Sequence, residues 1–358
     1  MTDTRLSGEV IRFPEQFLGI FERNRDQFAP LLRAAREDLR GLEVPAVVRA
    51  NYDYAVLEHA QPSFMLLPMM YLAMAEHAGG ITERHRRYLP LYMLAMELVA
   101  VLDDTVDRTP YRSGRETYPR RFGECSATSF SCFLLNTILV HTASRSPEVL
   151  PLVTGLFGPL CALQTWEYHA RYPDPTPRDC ARWLQRHYDA VTPAVAHSLD
   201  SALALHNLPA VPLEVCTRFG EIMQDVDDIV NLVEHRDQAG ENDDLEMGIV
   251  THPLLATIEA SPKTYDLVQA LWTRFREPAG ERQSAPQWKE DAAAERRALN
   301  ALVMKHGVPT TMRKIVADAH ACIEAAPAEL RPCVSEMTLT FVDRLRGLDG
   351  LPGVLVAA

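Results

Sequence analysis

The chain has no CxxC pair and no cysteine at metal-type spacing from a histidine, which argues against a zinc or disulfide scaffold. Its seven cysteines, at 125, 132, 161, 180, 216, 322 and 333, read as reduced core residues, and the expected compartment is the cytosol. No Lys and Arg cluster of the kind that binds a nucleic-acid backbone stands out either. With a formal charge of −12, the chain is not expected to bind nucleic acid, whose phosphates are held by grouped Lys and Arg. No basic start precedes an apolar signal core, and no uninterrupted apolar run reaches the roughly 20 residues that span a membrane, so no membrane span is expected. Alternating strand patterns and fixed-period repeats are absent as well.

What is present is helix. Apolar residues recur at three- and four-residue spacing in "YLPLYMLAMELVAVL", "SFSCFLLNTILVHTA" and "FGEIMQDVDDIVNLVEH", with proline and glycine between such windows, as in "YPDPTPRD". At 47% hydrophobic residues the core is sizeable, and the expected class is all-α. No composition shift marks a boundary, so residues 1–358 read as one domain. Polar residues 277–296 form either a surface insertion or a solvated helix start.

One of these windows ends oddly. In "ELVAVLDDTVDRTPYRSGRETY" the helical run closes on Asp103, Asp104 and Asp107, where the negative end of the helix dipole disfavours carboxylates. Something positive should compensate them. Four residues turn a helix through about 400°, so Asp103 and Asp107 lie on one face. A second cluster, "QDVDDIVN", carries Asp225, Asp227, Asp228 and Asn231, with Asp227 and Asn231 again four apart. Two such faces can oppose each other across a helical bundle. Hard oxygen ligands without histidine or cysteine suit Mg²⁺, which commonly combines one or two carboxylates with substrate phosphate. A single acidic triplet is more often a solvated helix end; two, each following an apolar run, favour the metal reading. Arg108, Arg112, Arg115, Arg120 and Arg121 follow the first cluster, and Arg112 is placed to hold a phosphate. A solvated basic loop balancing the aspartates is an equal reading of that segment alone.

These residues resemble the trans-isoprenyl diphosphate synthases and the related class I terpene synthases. "DDTVDRTPYRSGRET" and "RRFG" are similar to the family's first aspartate motif and its Arg-Arg-Gly element, and "MQDVDDIVN" and "DDLEMGIVTHP" to the second. "LQTWE" is similar to the Gln-x-x-Asp element between them, with Glu167 in the acidic place. The resemblance runs over roughly 20 to 350. It implies an all-α isoprenoid synthase bundle around an apolar cavity and an allylic prenyl diphosphate clamped by three Mg²⁺ ions. The metal ligands implied are Asp103, Asp104, Asp107, Asp227, Asp228 and Asn231, with Asp103, Asp107 and Asp227 central to catalysis. Arg112, Gln224 and Thr192 would hold the diphosphate, and a cytoplasmic homodimer is expected.

The departures from that pattern are specific. Aligning "PSFMLLP", residues 62–68, on the family's isopentenyl diphosphate element puts Phe64, Met65 and Leu67 where Lys and Arg would stand, and Ser113 replaces an arginine. The Lys-Thr pair appears as Val191-Thr192, and a later Gly-Lys as Gly248-Ile249. Apolar side chains cannot neutralise a second diphosphate, so ordinary chain elongation is not expected. The expected activity is a Mg²⁺-dependent terpene synthase. Prenyl transfer to another acceptor, chain elongation, and a silent regulatory subunit are the rivals. Leu98 and Val99 are candidates for the cavity floor. His59, His187 and His197 could quench a cation, although each is more simply a hydrogen-bonded interior histidine.

Overall fold

The apolar spacing is helical almost throughout the computed structural model, which describes residues 20–58, 66–112, 115–234, 244–275 and 293–345. The helices are α1 (Ile20–Arg40), α2 (Ala46–Tyr52, continued by a wider turn Asp53–Glu58), α3 (Leu66–His77), α4 (Glu83–Asp107), α5 (Tyr118–Phe122) and α6 (Glu124–Arg145). There follow α7 (Leu150–Ala170), α8 (Pro177–Leu205), α9 (Leu213–Glu234), α10 (Asp244–Met247), α11 (His252–Ala260) and α12 (Pro262–Phe275). Ala293–Leu302, Val308–Ala325 and Arg331–Arg344 are α13, α14 and α15. Two-residue strands β1 (Tyr111–Arg112) and β2 (Arg115–Glu116) pair antiparallel and are the only sheet among the described residues.

Helix α4 is central. From Tyr88 through Leu98 every side chain is buried, Glu97 included, which is why the rest of this window is apolar on all sides rather than on one stripe. It packs against α6 and α1, while α8 packs against α3, α7 and α9, and α9 against α14. One continuous apolar core runs from Phe28 to Leu345. Helix starts follow local chemistry: Thr176 caps α8 by accepting from the Asp179 amide at 3.3 Å, with Pro177 in the first helical position.

One expectation is corrected. Cys180, Cys216, Cys322 and Cys333 are buried, but Cys125, Cys132 and Cys161 are exposed on α6 and α7, so only four of the seven cysteines are core residues. The stretch Pro147–Ala170 is long and apolar enough, by length and composition alone, to cross a bilayer, with a mean hydropathy of 1.4 in its most apolar window, a test that core helices pass as well. Glycine, proline and threonine interrupt its long apolar residues, which is why no run stands out by eye. Of the expected insertion 277–296, residues 277–292 lie outside the described residues, and the rest begin α13.

Candidate active site

Helix α4 continues through all three aspartates and is closed by Arg108, whose left-handed backbone (φ 53°) lets its amide return to the Asp104 carbonyl. The positive charge that the aspartates require comes from two arginines. Arg112, carried on β1, donates from Nε to Asp104 Oδ1 at 2.7 Å and from Nη2 to Asp103. Arg171, just beyond α7, donates from Nη2 to Asp107 and to the Val106 carbonyl at 3.3 Å. Three other arginines of the basic segment turn elsewhere: Arg108 pairs with Glu124, Arg115 donates to the Glu58 carbonyl, and Arg121 lies 4.3 Å from the Tyr54 ring centroid.

These carboxylates are under electrostatic stress. Burial pushes Asp104 up to about 6, against the opposing pull of Arg112. Asp107 is raised well above the usual carboxylate range by burial and by Asp103, with Glu167 and Asp244 adding to it and Arg171 opposing. Burial pulls the Arg112 guanidinium down, but Asp103 and Asp104 outweigh it and hold it above its ordinary value.

The second cluster sits on α9 and divides by face. Asp225, fully buried, turns away to accept from Lys314 Nζ of α14 at 2.9 Å and from the Tyr188 hydroxyl of α8. Lys314 also meets Glu221 at 3.0 Å and Asp318 at 2.8 Å, so Asp225 anchors α9 to its neighbours. Asp228 accepts from Gln224 Nε2 at 2.7 Å through Oδ1, whereas its Oδ2 is buried without a hydrogen-bond partner among the described residues. Burial, with Asp244 and Asp225 beside it, raises Asp228 well above the carboxylate range. Asp227 is half-buried and accepts from Asn231 Nδ2 at 3.3 Å. Thr192 is buried, with its hydroxyl directed at the Tyr188 carbonyl, 3.4 Å away.

Asp244, at the start of α10, raises both Asp107 and Asp228, so the two clusters share one acidic locale. Between them lies a histidine–glutamate pair, His187 Nδ1 of α8 and Glu167 Oε2 of α7, 3.3 Å apart. Burial alone would lower His187, but Glu167, with Asp228 and Asp244 beyond it, lifts it to about 9. Glu167 responds in kind: burial raises it, and the bond to His187 more than reverses that. The pairing with Glu167 favours the protonated form of His187 and works against its accepting a further proton.

The residues that sequence reasoning missed are Arg171 and Lys314. Neither belongs to a motif, and only the approach of distant helices reveals them. Several expectations fall outside the described residues: His59, Phe64, Met65 and Ser113. Leu67 is described and is buried in α3, 8% exposed. Leu98 is buried and Val99 half-buried, both packed in the core.

The buried carboxylates and the unpartnered Asp228 oxygen form a hard oxygen donor set whose upward pKa shifts a divalent cation would reverse, so the residues fit one. Among the described residues no three or more His, Cys, Asp or Glu side chains are already gathered as a metal cage. A helical bundle with an acidic locale drawn from its α4 and α9 helices defines an isoprenoid synthase fold. The polyprenyl synthetase family profile matches residues 57–286, and the chain belongs to that family. Among curated proteins it is similar to solanesyl diphosphate synthase 1 of Arabidopsis thaliana, 23% identical over 55% of this chain and 50% of the relative. It is also similar to a sesterterpene synthase of Colletotrichum orbiculare, 24% identical over 52% of this chain and 27% of the relative. The chain thus spans half or less of the length of these relatives. Solved structures share the fold along nearly the whole chain. A decaprenyl diphosphate synthase from Rhodobacter capsulatus superposes with TM-score 0.69 at 17% identity, covering 91% of this chain and 98% of that one. A polyprenyl synthase from Caulobacter crescentus CB15, complexed with calcium and isoprenyl diphosphate, gives 0.69 at 16% identity, covering 90% and 96%.

Proposed function

We propose that this chain is a Mg²⁺-dependent class I terpene synthase that ionises an allylic prenyl diphosphate. The observation that carries this reading is the shared acidic locale of α4 and α9, combined with an apolar Leu67 buried where a chain-elongating enzyme would place a cation. The allylic C–O bond breaks with its electron pair leaving on the diphosphate; alkene π electrons then close onto the cation, and loss of a proton or capture of water ends the reaction. Mg²⁺ bound to the carboxylates would supply Lewis-acid stabilisation of the departing diphosphate. Asp103, Asp104, Asp107, Asp227, Asp228 and Asn231 are its proposed ligands, with three ions in all. Arg112, Gln224 and Thr192 orient the diphosphate, while the buried residues of α3, α4 and α8 keep water from the cation. The calcium and isoprenyl diphosphate of the Caulobacter structure support a cation–diphosphate site on this fold.

The second reading is chain elongation, which the similarity to solanesyl diphosphate synthases favours. Incubating the protein with C10, C15, C20 and C25 allylic diphosphates and Mg²⁺, with and without labelled isopentenyl diphosphate, separates the two. Terpene hydrocarbon or alcohol supports the first reading; labelled longer diphosphates support the second. No turnover without a partner protein would favour a silent regulatory subunit. We further propose a homodimer and a reducing, cytosolic setting, supported respectively by the apolar, largely exposed α7 and by seven free cysteines.

A further inference from the structure

A diphosphate needs more positive charge than Arg112 alone provides, yet the two lysine positions of the family pattern are apolar here. Val191 packs half-buried beside Gly220 of α9, and Ile249 is buried at 7% exposure. The cations present in the locale are elsewhere. From α4 to α9 the charges alternate: Asp107, Arg171, Glu167, His187, then Asp228 with Asp244. His187 lies one helical turn before Val191 and so shares its face of α8. It is 15% exposed and stacks on Trp183, ring centroids 5.3 Å apart.

Arg171 is held in place by its backbone. The preceding carbonyl, that of Ala170, accepts from Trp183 Nε1 at 2.9 Å, and the following amide, that of Tyr172, donates to the Gly248 carbonyl at 2.9 Å. Gly248 has φ +69°, and a Cβ there would lie 2.3 Å from the Tyr172 ring, so the junction tolerates only glycine. The guanidinium is 15% exposed, and its Nε is buried with no hydrogen-bond partner among the described residues. A donor left over in this way can be satisfied by an incoming anion.

Building on the diphosphate reading above, we propose that Arg171 and His187 bind the substrate diphosphate, performing the task of the lysines absent at 191 and 249. In the unliganded protein Asp107 and Glu167 hold these cations in position. With Asp107 engaged as a metal ligand, Arg171 would be free to donate to diphosphate oxygens, which its planar fork fits in pairs.

The test is calorimetric titration of inorganic diphosphate, in excess Mg²⁺, into the wild type and the variants Arg171→Gln and His187→Gln. Loss of one charge-assisted bond is expected to weaken binding roughly ten-fold or more in each variant. Adding Val191→Lys to His187→Gln should recover much of the loss, which a purely structural role for His187 would not allow. Arg171→Lys keeps the charge but loses the fork, and should bind several-fold more weakly than wild type. It decides the role of Arg171 if the glutamine variant fails to fold, and the Val191→Lys double variant decides that of His187. Wild-type binding that persists unchanged in these variants overturns the proposal. A wild type that binds no diphosphate overturns the diphosphate reading itself, and this inference with it.

Discussion

Asp103 and Asp227 carry the burden of metal binding in this account, and neither packs in the core: Asp103 is 36% exposed and Asp227 half-buried. Asp103→Ala or Asp227→Ala should therefore lower diphosphate release about a hundred-fold or more while leaving the helical circular dichroism intact. Unchanged activity and magnesium dependence in both would contradict their role. His197 provides a test of the interior. It is fully buried, receives the Tyr88 hydroxyl at 3.0 Å, and burial pushes it down to about 4. Between that value and the ordinary 6.5 the unfolded chain takes up a proton that the folded chain refuses, so stability falls as pH drops through this window. His197→Gln should remove that part of the pH dependence, on the order of 2 kcal/mol between pH 7 and pH 5 in urea unfolding. His252, lowered to about 4 chiefly by burial, contributes in the same direction to wild type and variant alike, as the raised aspartates contribute in the opposite one, so the test reads the difference between the two slopes. Equal slopes in wild type and variant would contradict the assignment. The aspartates were legible from the sequence because spacing of four is visible in one dimension. Arg171 and Lys314 were not, because the site aspartates they meet, Asp107 and Asp225, lie 64 and 89 residues away in the chain, and the local Lys314–Asp318 spacing of four reads as an ordinary helix pair.

At the scale of elements, the periodic windows translate directly into α4, α6 and α9, since burying an apolar face requires nothing beyond the local 3.6-residue repeat. The division of labour on α9 was not visible in "QDVDDIVN". Which aspartate turns to the core depends on Tyr188 and Lys314, contributed by two other helices. The exposure of α7 was hidden for a similar reason. Val153, Leu156, Phe157 and Leu160 pack inward, but nothing in the sequence shows that the small residues between them remain uncovered. The exit from α7 yields a specific prediction. Gly248→Ala combines a left-handed backbone with a Cβ 2.3 Å from Tyr172, and should cost at least about 2 kcal/mol, lowering Tm by several degrees. Because the same junction places Arg171, diphosphate affinity should fall together with stability. An alanine variant as stable as wild type would show that the junction is not constrained.

For the whole molecule, the all-α class followed from composition and periodicity, and one continuous core from Phe28 to Leu345 joins the described helices. Assembly is the less legible property. Cys125, Cys132, Cys161 and Val140 are exposed on the adjoining α6 and α7, where a second copy would cover them. Light scattering after gel filtration should give twice the mass of one chain, and Val140→Glu or Cys161→Glu should shift it toward the monomer; a wild-type monomer at all concentrations would contradict the dimer.

The central claim is that the allylic half of the site is retained while the isopentenyl half is lost, with Phe64, Met65, Leu67 and Ser113 standing where the family's pattern places cations. Each missing charge-assisted bond to a diphosphate is worth about 1.5–3 kcal/mol, so four together would weaken the second site by many orders of magnitude. The decisive measurement supplies labelled isopentenyl diphosphate with each allylic diphosphate and Mg²⁺, and follows both diphosphate release and label in the extract. The account predicts diphosphate release with unlabelled terpene products. Efficient incorporation of label at micromolar isopentenyl diphosphate would contradict it and make this protein a chain-elongating synthase.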